Sequence, residues 1–102
     1  MPVRLEKWDK ERGALSEQAM REWLEAEGYS VARYVYPPGT YFPGHTHGID
    51  KKDGVLKGKL RIKAAGKDYL LEPGDVLEIP AGTVHDAEVI GDESVVSLDA
   101  TR

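Results

Sequence analysis

The chain carries three histidines, and two of them, His45 and His47, stand one residue apart in the stretch PGHTHG that begins at Pro43. The third, His85, lies far downstream in PAGTVH, which begins at Pro80. Side chains alternate faces along a strand, so a His-x-His pair on a strand presents both imidazoles to the same side. Were His85 on a strand paired nearby, three imidazoles would converge. Neutral imidazole suits Fe, Zn, Ni, Cu and, less well, Mn as divalent ions. The competing reading is that each histidine is an ordinary surface or core residue, and His-x-His alone does not decide between the two. On three imidazoles an octahedral dication keeps positions free for water or substrate, and a tetrahedral one keeps a single position. The uncompensated positive charge favours an anionic small-molecule ligand.

Short strands must carry such a site. From Tyr29 onward the pattern has period two and is broken by Gly and Pro: YSVARYVY, GVLKGKLRIKA with a glycine inside, KDYLLE, VLEIP, VHDAEVI and SVVSLDA. Strands punctuated so regularly predict a β-sandwich or barrel. One helix is expected, in LSEQAMREWLEAEGY, with Ser16 as cap, Glu17 at the positive end of the dipole and Gly28 as terminator. Leu15 and Met20 occupy the positions of a hydrophobic staple. Ala19, Met20, Trp23 and Leu24 form an apolar stripe, so the helix should pack on the outside of the β-structure.

Composition narrows the function. At 102 residues the chain is expected to be one domain. Acidic residues outnumber basic ones, 18 to 14, and the two are interspersed, which argues against nucleic acid as a partner. Cysteine is absent, which excludes disulfides, thiolate metal sites and a cysteine nucleophile. The stretch MPVRLEKWDKERG has no apolar signal-like run, and no stretch approaches the roughly 20 apolar residues that cross a bilayer. The expectation is a cytoplasmic protein with no membrane partner. Asparagine is absent and Gln18 is the single glutamine, a bias expected of a thermophilic source.

The residues around the histidines carry a further pattern. Gly39 is followed after five residues by His45-x-His47, and Gly58 closes that segment. Gly74 is followed after five residues by Pro80-x-Gly82, then after two more by His85. This resembles the two motifs of the cupin superfamily, G-x5-H-x-H-x3–4-E-x6-G and G-x5-P-x-G-x2-H-x3-N, over Gly39 to Val89. The resemblance implies an all-β antiparallel jelly-roll barrel over 29–102, preceded by an arm and helix over 1–28 packed outside it. It also implies a metal held by His45, His47 and His85 in the barrel mouth, and a homodimer formed through strands near the N-terminus, RLEKW or YVY.

Two motif positions depart from that pattern. Counting back from Gly58 places Lys51 where the family has its glutamate ligand, and Val89 stands in place of the asparagine. A protonated lysine has no lone pair to give. Asp50 and Asp53 flank the gap, and either is a candidate substitute ligand; the alternative is that they face outward or pair with Lys51 and Lys52. No separate catalytic residue emerges, and Asp86 is expected at the surface. Two functions stay open: a dioxygenase or isomerase acting on a small organic acid, and a non-catalytic module that binds or senses a metal or small ligand.

Overall fold

A computed structural model describes residues 2–102. The elements in chain order are β1 (Arg4–Lys7), a 3-10 turn (Lys10–Arg12), α1 (Glu17–Ala26), β2 (Ser30–Tyr36), β3 (Tyr41–His45), β4 (Lys51–Lys57), β5 (Lys59–Ala64), β6 (Lys67–Leu71), β7 (Asp75–Ile79), β8 (His85–Ile90) and β9 (Val95–Thr101). Five strands form one sheet in the order β1-β7-β4-β9-β2, and four form the other in the order β3-β8-β5-β6. All pairings are antiparallel. This is the expected all-β jelly roll, built as two facing sheets rather than as one closed cylinder of hydrogen bonds.

The period-two pattern divides the apolar residues between two layers. Val55, Leu60, Ile62, Leu71, Leu77 and Val95 form the core between the sheets. Val76, Leu98 and Ala100 turn to the opposite face of the five-stranded sheet and pack with Met20 and Leu24 of α1. The helix begins as its sequence predicts. The Ser16 hydroxyl accepts the Ala19 N–H at 3.0 Å, and Leu15 and Met20 share one cluster. Full burial of Met20 and Leu24 contributes about 1.5–3 kcal/mol each. The helix can sit this close because residue 54 is glycine: a Cβ there would lie 2.6 Å from the Met20 sulfur.

The stretch GVLKGKLRIKA, expected to be one strand, is two. β4 and β5 flank Gly58 and belong to different sheets. Gly58 has φ +81°, and a Cβ on it would meet the Ser94 carbonyl oxygen at 2.7 Å. Leu56, Leu60, Ile62 and Ala64 stand at even positions, so the sequence pattern runs on through the corner although Leu56 packs toward the helix and the other three between the sheets, and periodicity alone does not reveal it. Gly58→Ala is expected to destabilise the fold by about 2–4 kcal/mol, combining left-handed strain with a backbone clash. Urea unfolding measures this, and a loss below about 1 kcal/mol would mean that the corner relaxes freely.

The N-terminal arm is tied into the larger sheet. β1 pairs with β7, and Lys52, 3% exposed on the helix-facing side of β4, binds Glu6 at 2.7 Å and Glu27 at 2.8 Å. No helix among the described residues is long and apolar enough to cross a membrane.

Candidate metal centre

The site forms where the four-stranded sheet ends in the β3–β8 pair. β3 is an edge strand, which tolerates Pro43 and its missing N–H. His45 and His85 are direct cross-strand partners. His47 lies two residues beyond the end of β3 rather than on the strand, and its ring still joins the other two. The ring centroids are separated by 4.3 Å (His45–His85), 4.8 Å (His45–His47) and 5.2 Å (His47–His85). One nitrogen from each ring falls within 4.8 Å of the others.

The ring nitrogens are already sorted into roles. His45 Nδ1 lies 2.7 Å from the Pro43 carbonyl oxygen, and His85 Nδ1 lies 3.0 Å from that of Thr83. A carbonyl only accepts, so each Nδ1 carries the proton and each Nε2 keeps its lone pair. His47 Nε2 and His85 Nε2 are buried with no hydrogen-bond partner. Burial pushes both imidazoles below the ordinary histidine range. Lys51 and His45 reinforce this at His47, while the Thr83 carbonyl works against it at His85. Neutral, desolvated nitrogens, with the tautomer of His85 already fixed, are what a borderline-soft dication requires.

The rest of the wall is polar in a way the motif did not anticipate. Lys51 turns inward: its side chain is 12% exposed, and Nζ lies 3.3 Å from Asp53 Oδ1. Neither aspartate joins the imidazoles. Asp50 Oδ1 accepts the Ala81 N–H at 2.9 Å and fixes the loop between β7 and β8. Asp53 pairs with Lys51 on the inner face of β4. Lys51, Asp53, Asp99, Tyr36 and the three histidines all line one cavity of about 190 Å³. The Tyr36 hydroxyl donates to Asp99 Oδ2 at 2.9 Å, and burial together with Asp99 raises its pKa well above the ordinary tyrosine value. The Ser97 hydroxyl donates to Asp99 Oδ1 at 2.7 Å. Asp86 accepts from Arg61 at 3.1 Å, away from this cavity's lining.

Asp99 and Ser97 were absent from the residues singled out in the sequence. A signal existed in SVVSLDA: the face that starts with apolar Val95 continues with Ser97 and Asp99, polar residues where alternation predicts core.

The buried groups give a pH dependence whose sign can be worked out. Burial first, and then the Asp99 charge, raise Asp53 to about 6 against an opposing pull from Lys51. The native state therefore holds a proton between about pH 4 and 6 that the unfolded chain has released, and stability contributed by Asp53 falls as pH rises through that window. His47 and His85 act oppositely. The unfolded chain takes up their protons below about pH 6.5, so their contribution is lost as pH falls. In the metal-free protein, Asp53→Asn is expected to gain about 2–3 kcal/mol relative to the parent between pH 4 and 7. Unfolding curves of both proteins across that range measure the difference, and a constant gap would remove Asp53 as its source.

Residues 32–101 match the family model described as a cupin domain, and the chain belongs to that family. A germin-like protein, subfamily 1 member 4, of Arabidopsis thaliana is 34% identical over 86 residues, covering 76% of this chain and 39% of that protein. Quercetin 2,3-dioxygenase of Bacillus subtilis is 49% identical over 49 residues, covering 46% of this chain and 14% of the enzyme. Among solved structures, the DMSP lyase DddQ from Ruegeria pomeroyi superposes with a TM-score of 0.62 at 30% identity, over 72% of this chain and 38% of that one. The chain thus spans well under half the length of these relatives.

Proposed function

We propose that His45, His47 and His85 hold a divalent transition metal through their Nε2 atoms, and that the cavity beside it converts a small organic acid by dioxygenation or isomerisation. The observation that carries this reading is the pair of buried, unpartnered Nε2 atoms, of His47 and His85, in a cluster where the Nδ1 atoms of His45 and His85 are already held by backbone carbonyls. An unpartnered buried polar atom is costly, and a metal bond removes the cost. The metal, when bound, supplies Lewis acidity, or O₂ activation if it is Fe(II). Lys51 would hold the ligand's carboxylate, since its ammonium is the cation of the wall not needed to bind the metal. The relatives named as a dioxygenase and a lyase are consistent with a site of this kind that does chemistry.

The test is elemental analysis of the purified protein, before and after exposure to Fe(II), Zn(II), Ni(II), Cu(II) and Mn(II), followed by O₂-consumption and isomerisation assays on small organic acids. One metal per chain with turnover supports the reading. One metal per chain with no turnover would make the protein a binding or sensing module, and no metal under any condition would overturn the site.

The homodimer expected from the motif resemblance falls best on β2. Both β1 and β2 are edges of the larger sheet, but β1 spans only Arg4–Lys7. β2 is longer and exposes Tyr34 and Val35, and pairing with a second copy would cover that edge. Light scattering on the parent and on Val35→Lys tests this; a parent that is monomeric at high concentration would refute it.

A further inference from the structure

The polar residues of the cavity other than the histidines sit on one face of three neighbouring strands. Asp53 of β4 and Asp99 of β9 are cross-strand partners, and Lys51 shares their face two residues before Asp53. The two carboxylates are not equivalent. Asp99 accepts from Tyr36 and Ser97, one hydroxyl on each oxygen. Asp53 is only 7% exposed, and its Oδ1 has no hydrogen-bond partner. Lys51 Nζ, at 3.3 Å, is within ion-pair range of that oxygen but outside hydrogen-bond geometry. The groups that share the cavity with Asp53 are Lys51 on its own strand, Asp99 from β9, Tyr36 from β2, and the three histidines from the opposite sheet and its end.

We propose that Asp53 is the catalytic base of this cavity, that Lys51 anchors the substrate carboxylate, that Asp99 is a positioning residue for Asp53, and that the substrate class is the small 2-oxo acids with a hydrogen on C3. This deepens the three-imidazole metal reading and rests on it. The step is reversible enolisation. Asp53 Oδ1 takes the C3 proton; the C–H electron pair forms the C2–C3 double bond, and the carbonyl π pair moves onto the C2 oxygen. Return of a proton from Asp53 to C3, after exchange with solvent, regenerates the oxo acid, so neither oxidant nor reductant is consumed. The residue types match the demands of that substrate. Lys51 supplies a point charge for the carboxylate, and Asp53 is a carboxylate without a committed donor. A cavity of about 190 Å³ is smaller than the roughly 300–1,000 Å³ of drug-sized pockets, which restricts the ligand to a short acid. An incoming carboxylate also draws the Lys51 ammonium away from Asp53 and adds negative charge beside it, and both effects make Asp53 a stronger base. Its raised pKa, near 6 from burial and Asp99, is in keeping with this role.

The experiment loads the protein with Zn(II) in D₂O and follows loss of the C3 proton signals of pyruvate and 2-oxobutyrate by NMR. The parent should exchange at least about 100-fold faster than a Zn(II) buffer blank. Asp53→Asn should lose about 100-fold of that rate while elemental analysis still finds one zinc per chain. The parent's rate should rise with pH as Asp53 ionises and then level off. Asp99→Asn removes a like charge and should move that limb to lower pH. Carbon-13 NMR of the Asp53 carboxyl in the metal-free protein should show the same displacement, independent of any activity. Full zinc occupancy with no exchange on either acid, or an Asp53→Asn variant as active as the parent, overturns the assignment of Asp53 and leaves the metal site standing. A parent that binds no zinc overturns both together.

Discussion

Replacing Lys51 by glutamate is expected to tighten metal binding by at least about 100-fold, equivalent to roughly 2.7 kcal/mol. The substitution removes an inward-facing ammonium from a cavity wall shared with three metal-directed imidazoles and puts a carboxylate in its place. A unit charge several ångströms from a dication, in a partly desolvated pocket, is worth several kcal/mol at an effective dielectric near 20. Here the sign of that charge is reversed. The cost falls on the metal-free fold. Asp53 loses its cationic neighbour and already faces Asp99 across the β4–β9 ladder, so the wall would carry three carboxylates. The variant should therefore unfold more easily than the parent above pH 6 without metal, and gain more stability from metal. Chelator competition and calorimetry with and without Zn(II) measure the two halves. Unchanged or weaker affinity would show that the Lys51 head group is not beside the bound ion. The same variant should lose affinity for small carboxylates, because the anchor and the new ligand have opposite charge.

His85→Ala is expected to weaken metal binding by at least about 1,000-fold, or some 4 kcal/mol, while leaving the metal-free fold nearly intact. His85 is buried, so its truncation leaves a space and costs some packing. It also removes an unpartnered buried nitrogen, which offsets part of that cost. Metal that binds only the native state raises stability by about 4.1 kcal/mol when its concentration is 1,000 times Kd. That metal-dependent rise in Tm should vanish in the variant and return in part when free imidazole is added to fill the space. A variant that keeps the full metal-dependent rise would remove His85 from the ligand set.

Much of this was readable from residue order because the responsible signals are local. The Ser16 cap, the Leu15–Met20 staple and the stripe of α1 depend on spacings of three to five residues, and each took its expected place. The histidines were legible because turn glycines and Pro80 fix where the β3 and β8 strands begin and end. The inner polar wall was not. Asp53 and Asp99 meet only because β4 and β9 pair in one particular register, and nothing near either residue announces the other. Lys51 posed the same difficulty, since a lysine is ordinarily a solvated side chain and only the strand's facing direction turns this one inward. Gly58 shows a third kind of limit: the spacing of apolar residues in the sequence runs on through the corner, while the inward face shifts from Val55 to Leu60 and the strand changes sheets.

β4 carries two adjacent lysines with opposite duties, Lys51 toward the cavity and Lys52 in the Glu6–Glu27 clasp beneath the helix. Moving a strand by one position exchanges its faces, and at 51 and 52 that exchange would swap one lysine for its twin. The lysines alone therefore say little about which frame is native. The next two residues do. Asp53 outward and Gly54 inward would place a carboxylate against the Met20 sulfur and leave the cavity wall without its acid. The Asp-Gly step thus works as a reading-frame mark for the strand. A second glycine in place of Asp53 would erase it, and with it the chain's means of telling its two lysines apart.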